Sequence, residues 1–165
     1  MSIVNRVADS GLIQFDPATL VKDMAVSVVS LSDFLHEEPI LREKPFRKTI
    51  AAHDWTAYTG HFVALQIDED TLVPQWAGML VTSCLLPHAL GVCLGDQAAA
   101  LGMAYESALS KLKGKDYDQK NIIIKGCSDG SVPDWVYVRL MEILQPHANR
   151  IAYGEACSSV PLYKS

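Results

Sequence analysis

The sequence predicts an α/β fold, with a mainly parallel sheet and helices on its faces. Short apolar runs of strand length alternate along the chain with longer segments of helical pattern, and such alternation requires crossovers between parallel strands. The runs are apolar throughout, as expected where a parallel sheet is buried on both faces. In addition, residues 63–96 recur without a gap as residues 122–155, at a constant offset of 59 positions.

The repeat predicts two copies of one βαβ unit. Nine of its 34 aligned pairs are identical, among them Trp76 and Trp135, so the predicted elements of the two copies can be aligned one to one. At one position the copies differ in their chemistry, because Asp68 of the first copy is Cys127 in the second.

The individual elements follow from local patterns. Pro74 and Pro133 stand where proline is tolerated, in the first turn of a helix, and Pro87 and Gly114 stand where helices end. In the N-terminal part, segments 12–15 and 24–30 suit strands and 45–53 suits a helix. Beyond it we predict strands at 63–67, 91–94, 121–125 and 150–153, and helices at 73–86, 97–112 and 132–144.

These elements divide one domain of 165 residues into five segments. The segments are an irregular N-terminal extension (1–60), a first βαβ unit (61–96), a linking helix (97–112), a second βαβ unit (121–155) and a tail over the strand ends (156–165). A chain of this length buries roughly 70% of its unfolded surface, so it needs neither a disulfide nor a metal simply to fold.

Composition and charge argue against several classes of protein. The net charge of −5 and the lack of a long basic run argue against nucleic acid as a partner. No apolar run approaches the roughly 18 residues of a membrane span, and the N-terminus lacks a signal peptide's apolar stretch. We therefore expect a cytoplasmic protein with no membrane partner. The four cysteines show no Cys-x-x-Cys spacing, so a disulfide framework is not expected.

Acids and thiols follow the predicted strands. Asp68, Asp96, Cys127 and Glu155 come directly after strands, and Cys157 comes two residues later. Because ligands of open parallel sheets bind outside the carboxyl ends of the strands, we expect these side chains at one edge of the sheet. Two thiolates with one or two carboxylates could bind zinc or iron, and the same cluster could supply a nucleophilic thiol.

Each candidate also has a structural interpretation. Cys127 and Cys157 could be small loop-packing residues, as free cysteines often are. Asp96 directly precedes a predicted helix, so capping is its leading interpretation. Ser128 beside Cys127, and His53 in an irregular connection, are further candidates for the same site. The chain lacks Gly-x-Gly-x-x-Gly, Gly-x-x-x-x-Gly-Lys-Ser/Thr and Gly-x-Ser-x-Gly motifs, which argues against the standard nucleotide sites and the hydrolase elbow.

Several strings resemble an uncharacterised bacterial family that is catalogued only as a domain of unknown function. They are Asn5-Arg-Val-Ala, His53-Asp-Trp, Lys125-Gly-Cys-Ser, Val132-Pro and Tyr153-Gly-Glu-Ala-Cys-Ser-Ser-Val-Pro-Leu-Tyr-Lys. The resemblance covers nearly the whole chain and implies a bacterial, cytoplasmic protein. It brings no activity, cofactor or catalytic residue.

The sequence thus favours a protein that binds a small ligand or a metal through Cys127, Cys157, Glu155 and Asp68. It leaves open whether that protein is a metal- or thiol-dependent enzyme. The alternative is a non-catalytic interaction protein with structural buried cysteines and an apolar surface patch. We also expect a homodimer, because twofold assemblies are the commonest oligomers.

Overall fold

The computed structural model describes residues 11–35, 40–68, 71–126 and 130–165. It is a mixed α/β fold that separates into two compact units. Unit 1 comprises residues 1–22 and 107–165, and unit 2 comprises residues 23–106. The second unit is therefore inserted into the sequence of the first. None of the described helices combines the length and the apolarity that crossing a bilayer needs.

The helices and strands follow each other in the predicted order. They are β1 (Leu12–Phe15), β2 (Ala25–Ser30), α1 (Glu43–Ala52), β3 (His61–Gln66), α2 (Gln75–Leu85), β4 (Gly91–Leu94), α3 (Gln97–Lys111), β5 (Asn121–Ile124), α4 (Asp134–Leu144), β6 (Arg150–Glu155) and β7 (Ser158–Lys164). Short 3₁₀ helices occupy Pro17–Leu20, Leu31–Phe34, Trp55–Tyr58 and Gly114–Tyr117. The described residues of the N-terminal extension contain β1, β2 and α1, close to the segments predicted there for two strands and a helix.

The predicted α/β class with mainly parallel strands is confirmed, but the strands form two sheets rather than the single sheet that was predicted. Unit 1 contains a four-stranded sheet in the order β1-β5-β6-β7, and unit 2 contains a three-stranded sheet in the order β2-β3-β4. All strand pairs are parallel except β6 with β7, which is antiparallel. The linking helix α3 runs from unit 2 into unit 1.

The pairing registers of the two sheets correspond. In unit 2, Val63 pairs with Val92 across β3 and β4. In unit 1, Ile122 pairs with Ile151 across β5 and β6, and each residue is 59 positions beyond its counterpart. The helix between each pair of strands buries the same stripe at spacing i, i+4, i+8, which turns one face of a helix onto a sheet. The stripe consists of Ala77, Val81 and Leu85 in α2 and of Val136, Leu140 and Leu144 in α4.

The tail differs from its prediction. Residues 156–165 were expected to fold over the strand ends, but residues 158–164 form β7, which returns along the length of β6. Ala156 and Cys157 are the two turn residues of this hairpin. Their sequence lacks the Asn-Gly or Asp-Gly pair that usually marks such turns, which explains why the hairpin was not predicted.

Candidate functional site

The predicted acid and thiol residues lie at two sheet edges rather than at one. Glu155 ends β6 in unit 1, and Cys157 lies in the turn that follows, where both side chains are exposed. Asp68 and Asp96 follow β3 and β4 in unit 2, and both are also exposed. Because β3 and β4 are in a different sheet from β5 and β6, the expectation of a shared edge was wrong.

The proposed thiol cluster itself remains a prediction. Cys127 and Ser128 lie outside the described residues. Within the described part of the chain, no three side chains of His, Cys, Asp or Glu gather closely enough to hold a metal ion. The cysteines also differ from the structural interpretation, since Cys157 is exposed and Cys84 and Cys93 are half-buried.

Asp96 acts as a helix cap, as its structural interpretation predicted. Its carboxylate Oδ1 accepts a hydrogen bond from the backbone N–H of Ala99 at 3.1 Å. This bond satisfies one of the unpaired donors in the first turn of α3.

His53 belongs to an aromatic cluster next to α1. Its Nε2 lies 3.2 Å from the hydroxyl of Tyr58, and its ring centroid lies 4.4 Å from that of Trp55. Phe34 meets the same imidazole edge to face, with centroids 5.2 Å apart. Burial of Tyr58, with a smaller contribution from Asp33, raises the pKa of the tyrosine. The imidazole is thus engaged by packing inside unit 2.

At the carboxyl edge of the unit 1 sheet, the side chains are also engaged with each other. The Lys125 ammonium lies 3.2 Å from the Asp16 carboxylate, while the other oxygen of Asp16 accepts the N–H of Ala18. A Cβ on Gly126 would overlap the hydroxyl of Tyr153, so glycine is what lets this ring lie against the chain.

The described residues of unit 2 form an apolar groove, called here the α2 groove. Its volume is about 580 Å³, within the range of roughly 300–1,000 Å³ that is usual for ligand sites. The groove is lined by uncharged residues, mostly apolar: Leu65, Ile67, Val73, Pro74, Gln75, Gly78, Met79, Thr82, Ser83, Leu86, Val92, Cys93 and Leu94. Four of these are large apolar side chains that stay exposed: Met79 at 72%, Leu94 at 66%, Leu86 at 61% and Ile67 at 43%.

Unit 1 has larger side chains at two of the corresponding positions. Tyr137 and Tyr153 stand 59 residues beyond Gly78 and Leu94, and their rings pack edge to face with centroids 5.8 Å apart. Beside them, β7 pairs with the outer edge of β6, and its Tyr163 lines a cavity of about 460 Å³ together with residues of α4 such as Val138 and Met141. No described residue pairs with the outer edge of β4 in unit 2. The α2 groove therefore lies where unit 1 has two tyrosines and an added strand.

Sequence reasoning missed this groove, although the repeat contained its signal. The mismatches Gly78/Tyr137 and Leu94/Tyr153 replace two large side chains of the second copy by smaller ones in the first. In addition, β4 is followed at once by the helix α3, so unit 2 has no hairpin partner for it in the sequence. The chemical mismatch Asp68/Cys127 instead led to the prediction of a site at the carboxyl ends of the strands.

Comparison with known proteins identifies a family. A family described as "Protein of unknown function (DUF2480)" matches residues 1–165, and the chain belongs to it. This confirms the resemblance to a family of unknown function. No curated protein and no solved structure matches the chain.

Proposed function

We propose that this chain is a binding protein whose interaction surface is the α2 groove together with the open edge of β4. The observation that carries the proposal is the uncharged lining with four exposed apolar side chains, because exposed apolar surface of this kind marks interaction sites. The matching partner is an extended apolar segment, which adds to the edge of β4 as a strand and places side chains in the groove.

The energetics favour such a partner. Fully burying a Leu or Met side chain contributes about 1.5–3 kcal/mol. Met79, Leu86 and Leu94 each keep more than half of their surface in water, so each has most of this contribution left for a partner. The few polar groups of the lining, such as Thr82 and Ser83, can fix the orientation of a segment without adding charge.

Filling the groove tests the proposal. The substitution Gly78→Tyr introduces the side chain that unit 1 has at the corresponding position, and no atom lies within 4 Å of the Cβ site. In dilute solution the wild type should bind the apolar fluorophore anilinonaphthalene sulfonate saturably. Gly78→Tyr should weaken this binding roughly tenfold, or about 1.4 kcal/mol.

The matched control is Val138→Tyr, which adds the same ring at an exposed position of α4. It should leave the binding of the fluorophore unchanged. Equal binding by the wild type and Gly78→Tyr, with both folded, would remove the α2 groove as the binding surface.

A second candidate function is a small-ligand or metal site of thiols and a carboxylate, with Cys127, Cys157 and Glu155 as ligands. It is supported by the exposure of Cys157 in the β6–β7 turn, two residues after Glu155 on the same hairpin. Thiolates with carboxylates suit zinc or iron, and a metal or a thiol there could also serve an enzyme.

Elemental analysis of the untagged protein tests this second candidate. It predicts zinc or iron near one equivalent in the wild type and a loss of that metal in Cys127→Ser and Cys157→Ser. Cys84→Ser is the matched control, because Cys84 lies within α2. A wild type without metal after native expression would eliminate the metal form of the site.

Two broader inferences accompany these proposals. The matching registers of β3–β4 and β5–β6 support the origin of both units as copies of one βαβ unit. The half-buried and exposed cysteines, which the structure leaves unpaired as free thiols, are in keeping with a reducing compartment such as the cytoplasm.

A further inference from the structure

We infer that the occupant of the α2 groove and the β4 edge is a second copy of this chain, paired antiparallel through β4 about a twofold axis at Cys93. This inference rests on the proposed function and names its partner. The two three-stranded sheets would join edge to edge into one six-stranded sheet.

The charge of the surface favours a copy of itself. In a twofold interface the same patch meets itself, so any charged residue near the axis faces a like charge. The chain carries a net charge of −5, yet all residues that line the α2 groove are uncharged. Two such faces can therefore meet without repulsion.

The hydrogen-bonding groups of β4 suit antiparallel pairing. The N–H of Gly95 donates to the carbonyl of Leu65 in β3 at 2.9 Å. Because alternate residues of a strand direct their backbone groups to the same neighbour, the N–H and C=O groups of Val92 and Leu94 point away from β3. They form the outer edge of the sheet, with which no described strand pairs.

A twofold axis fixes the register. Strands related by a twofold axis normal to the sheet run antiparallel, and residues opposite one another point to the same face, so the axis must pass midway between a residue and its own copy. With the axis at Cys93, Val92 lies opposite Leu94 of the other copy. In this arrangement the backbone N–H and C=O groups of Val92 and Leu94 are paired in both strands, through four hydrogen bonds between the two copies.

Unit 1 shows that this type of edge accepts such a strand. There β7 pairs antiparallel with β6, with Tyr163 opposite Ile151 and Val160 opposite Tyr153. Ile151 and Tyr153 stand 59 residues beyond Val92 and Leu94. In unit 2 the strand of a second copy would take the place that β7 takes in unit 1.

The apolar side chains complete the interface. An axis normal to the sheet keeps the α2 helices of both copies on the same face, where Met79 and Leu86 of one copy approach those of the other. The four exposed side chains leave on the order of 400 Å² of apolar surface open in each copy, within the range of functional patches. An interface of this modest size is in the range of weak, transient assemblies, so the dimer should depend on the protein concentration.

Sedimentation velocity over a range of concentrations tests the inference. The full chain should shift from a mass of 18.1 kDa toward twice that value as the concentration rises. Leu94→Lys and Leu94→Glu should each stay monomeric, because each places like charges across the axis. An equimolar mixture of the two variants should recover the dimer, since lysine then meets glutamate at diagonal positions roughly 7–8 Å apart.

Val160→Lys is the matched control, because it places the same charge at an exposed position on the edge strand of the unit 1 sheet. It should dimerise like the wild type. Far-ultraviolet circular dichroism establishes that every variant is folded, which the exposure of Leu94 makes the expected result.

Three outcomes would overturn the inference: a wild type that is monomeric at all concentrations, a dimer that persists in both Leu94 variants, or monomeric variants that mixing does not restore. The fluorophore titration shows whether such a result refutes only the second copy as the partner or also the α2 groove as a binding surface. If the wild type is monomeric but binds the fluorophore, and Gly78→Tyr does not bind it, the α2 groove is a binding surface for another partner. A monomer without fluorophore binding refutes both proposals.

Discussion

Gly78 is the residue that opens the α2 groove. No heavy atom lies within 4 Å of the position its Cβ would take, although the residue is inside a helix. At the corresponding position, Tyr137 packs against Tyr153. The space beside Gly78 in unit 2 is therefore occupied by a tyrosine ring in unit 1.

Two glycine-to-alanine substitutions should have opposite effects on stability. Gly78→Ala should stabilise the fold by roughly 0.5–1 kcal/mol, because alanine has less backbone freedom to lose in a helix. Gly114→Ala should destabilise it by about 1–3 kcal/mol, because the new Cβ would overlap the carbonyl oxygen of Ile143 and the ring of His147. Urea unfolding measures both free energies. Equal effects would contradict the packing around Gly114.

The cysteine thiols should differ in their rate of reaction with a maleimide and in how that rate depends on pH. Cys157 is exposed, so it should react fastest with a maleimide. Burial, with a smaller contribution from the Asp96 carboxylate, raises the pKa of the Cys93 thiol. A raised pKa keeps this thiol protonated as the pH rises, so its labelling should begin at higher pH than that of an ordinary cysteine. Peptide mass spectrometry from pH 7 to pH 10 measures both rates.

The control for this prediction is Asp96→Asn, which removes the charge but keeps a capping side chain. It should shift the labelling profile of Cys93 to lower pH. A profile of Cys93 that rises at lower pH in the folded wild type than in the urea-unfolded chain would contradict the assigned burial.

Among the elements, α2 and α4 stabilise their units through the same buried stripe. Leu85 and Leu140 are fully buried in these stripes, 55 residues apart in sequence but in different units. Leu85→Ala and Leu140→Ala should each cost about 2–5 kcal/mol in the free energy of unfolding. Val138→Ala, at an exposed position of α4, should change it by no more than about 0.5 kcal/mol.

Chemical denaturation monitored by circular dichroism makes this comparison. A cost for Val138→Ala that equals the cost for Leu140→Ala would show that α4 is not packed through the stripe.

The start of α3 depends on the carboxylate of Asp96. Asp96→Ala should lower the free energy of unfolding by about 0.5–2 kcal/mol, because it removes the acceptor for the Ala99 N–H. Asp96→Asn should retain most of that stability. Thermal unfolding measures both changes. If both substitutions left stability unchanged, the capping role would be refuted and a ligand role would regain support.

The strands were predictable from local patterns, but their pairing was not. Local patterns located β1 and β4 at their observed residues and β3 and β5 to within two residues, and burial on both faces selects the apolar runs of β3 and β5. Sheet order depends instead on contacts between distant segments: β1 pairs with β5, whose first residue is more than 100 positions away. No local pattern determines that β5 and β6 join β1 while β3 and β4 join β2.

The candidate site was predictable only in part. The rule that ligands bind at strand ends directed attention to charged and thiol side chains, and it placed Asp96 correctly after β4. The α2 groove arises from missing volume at Gly78 and from a missing strand beside β4. No sequence motif marks a missing side chain or a missing strand. In this sequence the two features can be recognised only when the two copies of the repeat are compared.

In the whole molecule, each unit has a sheet of three parallel strands, and only the sheet of unit 1 is extended by a fourth strand. After β6 the chain turns back as β7, whereas after β4 it continues into α3. The same type of edge is therefore covered in one unit and uncovered in the other. An unpaired strand edge beside an apolar groove favours pairing with a strand of a partner. This pairing is the central claim of the proposed function.

Hydrogen exchange of the full chain at low and high protein concentration tests this claim most directly. The amides of Val92 and Leu94 should exchange fast in dilute solution and become protected as the concentration rises, because a second copy then accepts their hydrogen bonds. The amides of Ile151 and Tyr153 should be protected at both concentrations, since β7 already pairs with them. Exchange at Val92 and Leu94 that is the same at every concentration would contradict pairing at the β4 edge.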